Sequence, residues 1–558
     1  MFFNISNLNR IAICVILSVF MFQGQAIKAQ PTSDYFEINK QLEIFIDAYK
    51  QVDQLYVENT TPGSVITEAI QAMLRNLDPY TVYYPESKIE DAFYLQTGKY
   101  GGIGSRISLV NNENTVLEVF KGFPADKAGL KAGDIITHIG NKSIQGVDLD
   151  NLEDGITGAP GSQLTITVKK LGKDTPEQIT LTRESIKNPD VPLSKIIGSN
   201  TGYIKLDGFT QTASNEVATA FRKLKGAGAT QLILDLRGNG GGLLMEAVNI
   251  VNFFVPKGTV ITKTRGKANE WEQVYTASNE PLDTQIPIVV LIDEGSASAS
   301  EVVSGALQDL DRAVIIGNNS FGKGLVQQTL DLSYNSKMKI TVAKYYTPSG
   351  RCIQKLDYGN KQNGKAQLTE EHNESLFKTK NGRVVKDGRG IQPDIELTAS
   401  DKQLLLKSLD KNYAYFNYGV NYRLKHETID SMNFVLSDAE YLEFAKLTSE
   451  NGEKIFPEWF EGYKKLTEDL TAISTQEVSN SLTQLKESLS SAILNTLLID
   501  KKSILPELEK KIVQMYFHEV RALEYSLDRD FFIQKSSDVL SSSQYSTILS
   551  SVATDKNK

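Results

Sequence analysis

Three times between residues 231 and 324, a short apolar run ends in a loop built mainly from glycine, serine and asparagine. Gln231-Leu232-Ile233-Leu234-Asp235-Leu236-Arg237 leads into Gly238-Asn239-Gly240-Gly241-Gly242. The run Ile286 to Asp293 leads into Glu294-Gly295-Ser296-Ala297-Ser298-Ala299-Ser300-Glu301, and Ala313 to Ile316 leads into Gly317-Asn318-Asn319-Ser320-Phe321-Gly322-Lys323-Gly324. A strand with no polar alternation is one buried on both faces, which is the habit of a parallel sheet covered by helices. Helical stretches alternate with these strands from about 200 to 397, so an α/β layer structure is expected there. Open sheets of this kind place their sites at the strand ends, where these loops lie.

The rest of the chain has a different grammar. Residues 35–57 and 64–77 carry apolar side chains at mostly helical spacing and stop at Asp78-Pro79, a small helical lead-in. Around residue 100 short β-rich runs broken by glycine take over: Gly101-Gly102-Ile103-Gly104, Thr115 to Phe120, Asp134 to Ile139 and Leu164 to Val168. Beyond about 400 helical runs rich in Leu, Lys, Glu and Ser prevail, among them 402–409, 438–447 and 504–527. The tail 541–558 reads as polar and partly disordered.

A chain of 558 residues is too long for a single core, and three or four domains are expected. With 40% hydrophobic residues, 16 prolines and two tryptophans it lacks the bias of collagenous, disulfide-scaffold or wholly disordered proteins. A net charge of −8 argues against nucleic acid or an anionic membrane as its partner. Residues 1–29 read as a secretory signal peptide: Arg10 precedes the apolar run 11–22, and Ala29 supplies the small residue for cleavage. The run is too short to span a bilayer, which takes about 20 residues, and no other segment approaches that length. The mature protein is therefore expected to be exported to an extracytoplasmic, periplasmic compartment without an integral membrane segment; membrane association stays open. Cys14 would leave with the signal, making Cys352 the only thiol and excluding an intramolecular disulfide.

Chemistry is sought next. His138, His372, His426 and His518 are scattered, and no metal-binding spacing of His or Cys occurs, so neither a metal nor a His-based triad is expected. No cofactor is implied. What remains is a serine with a lysine. Ser298 lies in a turn between a buried strand and a helix, where the Ala299 N–H points into the space of the hydroxyl. Lys323, between Gly322 and Gly324, follows the next strand and would reach the same sheet edge. A lysine serves as a base only where burial or lack of counter-charge keeps it neutral, and Gln327 offers an amide that orients it without adding charge. Two blander readings compete: the serine run caps a helix, or Gly317 to Lys323 is a nucleotide loop. The second lacks the Ser or Thr that should follow the lysine.

Residues 98–185 resemble a bacterial, circularly permuted PDZ domain. Taken with it, the blocks 234–242, 294–301, 321–327 and Tyr346-Thr347-Pro348-Ser349-Gly350-Arg351 resemble the carboxy-terminal processing (tail-specific) proteases. With an N-terminal helical region (30–97) and a helical C-terminal extension (398–558) read from their own residues, a multidomain α+β and α/β protein is expected; the resemblance, which covers about 35–397, implies within it the PDZ domain (98–185) and a crotonase-like serine-lysine peptidase domain (186–397). It implies Ser298 as nucleophile, Lys323 as base and Gln327 as the lysine-orienting amide. Attack geometry makes Ala299 one oxyanion donor; the second is Gly241 or Gly242, with Gly242 favoured. Gly101, Gly102, Ile103 and Gly104 would present backbone N–H groups to the free C-terminus of a protein or peptide substrate, beside an open strand edge. The extension reads as structural or oligomerising. A silent PDZ-based binding protein and a small-substrate Ser-Lys esterase or amidase remain as alternatives.

Overall fold

The computed structural model describes residues 32–86, 97–149, 155–362, 365–368, 375–397, 402–430, 433–470 and 475–550. The expected signal peptide and His372 lie outside them. Residues up to Met73 form one unit; its described part holds the helix Thr32–Leu55 and most of the helix Pro62–Arg75.

The second unit, 74–558, is organised by a central sheet. Its strands run in the order Leu193–Ile197, Thr201–Lys205, Gln231–Asp235, Ile288–Ile292, Val314–Gly317, Ile395–Glu396. The first pair is antiparallel and the others are parallel. Every residue of Gln231–Asp235 and Ile288–Ile292 is buried, as expected from their uninterrupted apolar character. Alternate residues point to opposite faces. Leu232, Leu234, Val290, Ile292 and Ile315 pack with the helices Ala213–Gly226, Leu244–Asn252 and Ala299–Asp309. Ile233, Val289, Leu291, Val314 and Ile316 face the other way, against Leu527, Ile533, Val539 and Leu540. The second cover of the central sheet thus comes from the helix Phe531–Leu540, far along the chain from the strands it covers.

Of the tail 541–558, expected to be polar and partly disordered, the described residues end at 550. The segment after residue 541 contains the helix Gln544–Ser550, whose Tyr545, Ile548 and Leu549 join that same apolar layer. The Tyr545 hydroxyl also accepts from the Ile288 N–H at 3.0 Å. Three apolar anchors on a polar helix are enough to order it, which a composition-based reading misses.

A second, antiparallel sheet lies beside the first. In it Lys337–Tyr346 pairs with Val82–Tyr84, Val260–Gly266 and Leu325–Asp331. The PDZ-like region forms a sheet in the order Ser105–Val110, Glu113–Val119, Ile135–Ile139, Gln163–Lys169, Glu177–Thr182. Its core includes Val116, Ile136, Ile144, Ile166 and Val168, and Ser105–Val110 is an edge strand.

The C-terminal helices have an aromatic core of their own, with Tyr415, Tyr441, Phe444, Phe456 and Phe460. They also dock on the PDZ-like sheet: Ala132 packs with Phe416 and Met515, Tyr413 and Ser108 share a hydroxyl–hydroxyl bond of 2.9 Å, and His518 Nδ1 meets the Val119 carbonyl at 2.7 Å. The extension therefore touches both the PDZ-like sheet and the central sheet.

Candidate active site

Ser298 sits between the strand Ile288–Ile292 and the helix Ala299–Asp309 with φ 55° and ψ −112°. Such a backbone costs a non-glycine residue about 1–3 kcal/mol and persists only where its surroundings impose it. The neighbouring serines do so. Ser296 and Ser300 are fully buried; Ser296 donates to the Leu236 carbonyl at 2.8 Å and Ser300 to the Asn239 carbonyl at 2.9 Å. Ser298, between them, stays partly exposed. The outer serines thus hold the turn, while the middle serine, the N-cap residue of the helix, is partly exposed at its tip.

Glu301, in the first turn of the helix, is fully buried. Its carboxylate accepts from the backbone N–H of Ser298 (2.8 Å), Gly322 (2.8 Å) and Lys323 (2.9 Å) and from the Ser320 hydroxyl (2.5 Å). Burial pushes its pKa up, opposed by these donors. One side chain therefore ties the serine turn to the lysine loop. From the other side the buried Tyr345 hydroxyl reaches the Ser298 carbonyl at 3.0 Å and also that of Lys323. Ser298 and Lys323, 25 positions apart in sequence, are held together by two shared clamps.

The Lys323 side chain is largely buried, and its Nζ lies 4.3 Å from the centre of the Tyr80 ring. Burial, helped by the like charge of Lys339, lowers its pKa from 10.5 to about 8; Asp78 and Glu301 act in the opposite direction. An appreciable neutral fraction at mildly alkaline pH follows. Gln327, on the strand Leu325–Asp331, donates its amide to the Thr341 hydroxyl at 3.3 Å. It lies in the same sheet as the lysine loop, but its hydrogen bond goes to Thr341 and not to Lys323.

The glycine loop after Gln231–Asp235 lies against the serine turn. A Cβ on Gly241 would stand 2.7 Å from the Ala297 carbonyl oxygen and 2.9 Å from the Ala299 nitrogen, so only glycine permits this approach. Asn239, fully buried, locks the loop: its amide donates to the Leu206 carbonyl, its side-chain oxygen accepts from the Gly241 N–H at 2.9 Å, and its carbonyl accepts from the Ala297 N–H. That leaves the Gly241 N–H engaged. Among the described residues nothing accepts from the Gly242 N–H. Ala299 opens its helix, and the first amides of a helix have no partner within it.

Gly101, Gly102, Ile103 and Gly104 are all buried, and their given contacts lie within the PDZ-like region. Gly101 and Gly102 belong to the strand Lys99–Gly102, paired with Glu184–Lys187. The Ile103 side chain is part of the PDZ-like core, and its carbonyl accepts from the Ala125 N–H at 2.8 Å. Gly104, at φ 74°, turns the chain into the edge strand. Cys352 is a free, partly buried thiol whose pKa burial pushes up.

The peptidase family S41 profile matches residues 200–360. A carboxy-terminal-processing protease of Bartonella bacilliformis is 36% identical over 351 residues, covering 62% of this chain and 80% of the relative. The chain belongs to the carboxy-terminal-processing protease family. A Staphylococcus aureus relative named "Probable CtpA-like serine protease" is 32% identical over 347 residues, or 62% of this chain and 68% of its own. The solved photosystem II D1 C-terminal processing protease aligns at 27% identity over 64% of this chain and 92% of its own, with a TM-score of 0.37. A PDZ domain profile matches residues 115–170, and one described as "Probable PDZ-protease, C-terminal helical domain" matches 405–540. This carboxy-terminal-processing protease is thus a serine-type peptidase with a PDZ domain and a helical C-terminal domain, and it acts on peptide or protein substrates.

Four residues of the centre escape a sequence-only reading: Glu301, Tyr345, Asn239 and Tyr80. Glu301 and Asn239 stand inside the motif blocks, where an acid or an amide among glycines and serines is a usable signal. Nothing local marks Tyr345 or Tyr80.

Proposed function

We propose that this protein is an exported endopeptidase that takes polypeptides by their free C-terminus through the PDZ domain and cleaves them through an acyl-enzyme on Ser298. The observation that carries the reading is the pairing of a strained, partly exposed Ser298 with a Lys323 of lowered pKa, both locked by Glu301 and Tyr345. Ser298 Oγ attacks the scissile carbonyl carbon and its proton passes to the neutral Lys323 amine. The Ala299 and Gly242 N–H groups receive the developing oxyanion. Lys323 returns the proton to the departing amine, then activates water to hydrolyse the ester on Ser298. Gln327 acts through Thr341, as a positioning residue. The leader-like residues 1–29 support export, and among the described residues no helix is long and apolar enough to cross a membrane. Working limits of 98–185, 186–397 and 398–558 suit the PDZ, peptidase and helical regions.

The test is a pH profile of kcat/KM on an unstructured peptide. The base works only when deprotonated, so activity should rise with pH as one group near 8 loses its proton, and level off above it. Activity should survive EDTA; loss on chelation and recovery with zinc would count against a serine-lysine mechanism.

The PDZ half is tested by the substrate's end. The glycine run opens directly into the edge strand Ser105–Val110, so a terminal carboxylate at the run and an added strand along the edge are geometrically continuous. Amidating a peptide's C-terminus removes charge-assisted hydrogen bonds of about 1.5–3 kcal/mol each. kcat/KM should fall about tenfold or more, since remote binding energy positions the scissile bond. Equal rates for acid and amide would remove end recognition from the proposal.

A further inference from the structure

The segment Asp78-Pro79-Tyr80-Thr81 looks in sequence like the stop of a helix. In the structure it is a built turn of the catalytic centre. Asp78 is almost wholly buried, and its carboxylate accepts from the N–H of Tyr80 (2.8 Å) and Thr81 (2.8 Å) and from the Thr81 hydroxyl (3.0 Å). The Thr81 hydroxyl in turn accepts from the Thr341 N–H at 3.2 Å, and Thr341 is the residue that receives the Gln327 amide. The strand Val82–Tyr84 then pairs with Lys337–Tyr346, with Val82 opposite Lys339. The turn is thereby stitched to the sheet that follows the lysine loop. It delivers the Tyr80 ring onto the Lys323 ammonium position, and Tyr80 is itself steadied edge-on by Tyr358 at 6.1 Å.

We propose that Tyr80 is a positioning residue for the catalytic base: its ring seals the end of Lys323 from solvent, and the 78–81 turn is part of the active site. This rests on the reading of Lys323 as base. An aromatic face has two opposed effects on a lysine. It attracts the ammonium, which favours the charged form, and it excludes water, which favours the neutral amine. Burial is the largest influence at Lys323, and the centre of the Tyr80 ring stands 4.3 Å from its Nζ as part of that cover, so the second effect is proposed to be the larger. The charged groups facing Lys323 are Lys339 on the strand Lys337–Tyr346, Asp78 on the turn and Glu301 on the helix; Lys339 opposes protonation and the two acids favour it.

These signs give a test that a merely structural role would fail. Two readouts are taken on full-length variants: the pH midpoint of kcat/KM for peptide hydrolysis, and the pH midpoint of Lys323 acetylation by trace acetic anhydride, read by mass spectrometry in a Ser298→Ala background. Tyr80→Ala, or Tyr80→Leu should the first not fold, is expected to move both midpoints up by about one pH unit, roughly a tenfold loss of activity below the midpoint. Tyr80→Phe should leave them in place. Asp78→Asn keeps the acceptor for both backbone amides but removes the negative charge, and should move both midpoints down. Unmoved midpoints in Tyr80→Ala or Tyr80→Leu, or Asp78→Asn moving them upward, would overturn the proposal. Full activity in Lys323→Ala would instead defeat the base assignment, while the acetylation midpoints would still report on Tyr80.

Discussion

Alanine at Ser298 or at Lys323 is expected to remove about 10⁴-fold or more of the peptidase activity, and the double variant to lose no more than either single one. The two groups form one unit: without the hydroxyl there is no acyl acceptor, and without the amine the hydroxyl keeps its proton. Lys323→Arg should be as inactive, because a guanidinium is not deprotonated at any working pH. The controls are adjacent. Ser296→Ala leaves the Asp293 N–H without its side-chain partner and the Leu236 carbonyl with the Asn239 N–H alone, and Ser300→Ala leaves the Asn239 carbonyl one donor short. Each should cost about 1–3 kcal/mol of stability, with a far smaller loss of activity in the folded fraction. Mass spectrometry of the products from a denatured protein substrate measures all of these. Equal loss from the three serines would mean that the run is only structural.

Glu301→Ala should be the most damaging change at a residue that never touches substrate. It strands four donors at once: the buried Gly322 N–H and Ser320 hydroxyl and the part-buried N–H groups of Ser298 and Lys323. At about 1–3 kcal/mol for each unmet group, the total rivals the whole stability of a typical domain, about 5–15 kcal/mol. A melting temperature lower by about 10 °C or more is expected, at roughly 2–4 °C per kcal/mol for a domain of this size. Activity should vanish even in the surviving folded fraction, because the strained serine turn and the lysine loop lose their common anchor. Glu301→Gln keeps an acceptor but turns an NH₂ toward those donors, and should fall between. A calorimetric melt unchanged by Glu301→Ala would show that the carboxylate does not hold the site.

The parts of this centre that were legible in the sequence are those whose chemistry is local. Ile288–Ile292 reads as a buried strand because it has no polar residue, and Ser298 and Lys323 stand out because small residues surround them. Contacts across the chain were not legible. Tyr80 reaches Lys323 only because Val82–Tyr84 pairs with Lys337–Tyr346, and strand register is not written in either segment alone. The same register sends the Gln327 amide to Thr341, its cross-strand neighbour, where spacing alone suggested Lys323. Nor does anything local in Phe531–Leu540 say that its apolar face belongs on the central sheet.

That last helix has a consequence in time. Ile233, Val289, Leu291, Val314 and Ile316 wait for Leu527, Ile533, Val539 and Leu540 to cover them, and a chain made from its N-terminus presents these partners well after the strands. Until then the sheet that positions the serine turn has one bare apolar face, and contacts of such long sequence separation form late. The order of residues along the chain thus acts as a delay: the destructive chemistry is encoded in the strands and their loops, and its sheet is closed only once the helix Phe531–Leu540 has followed them.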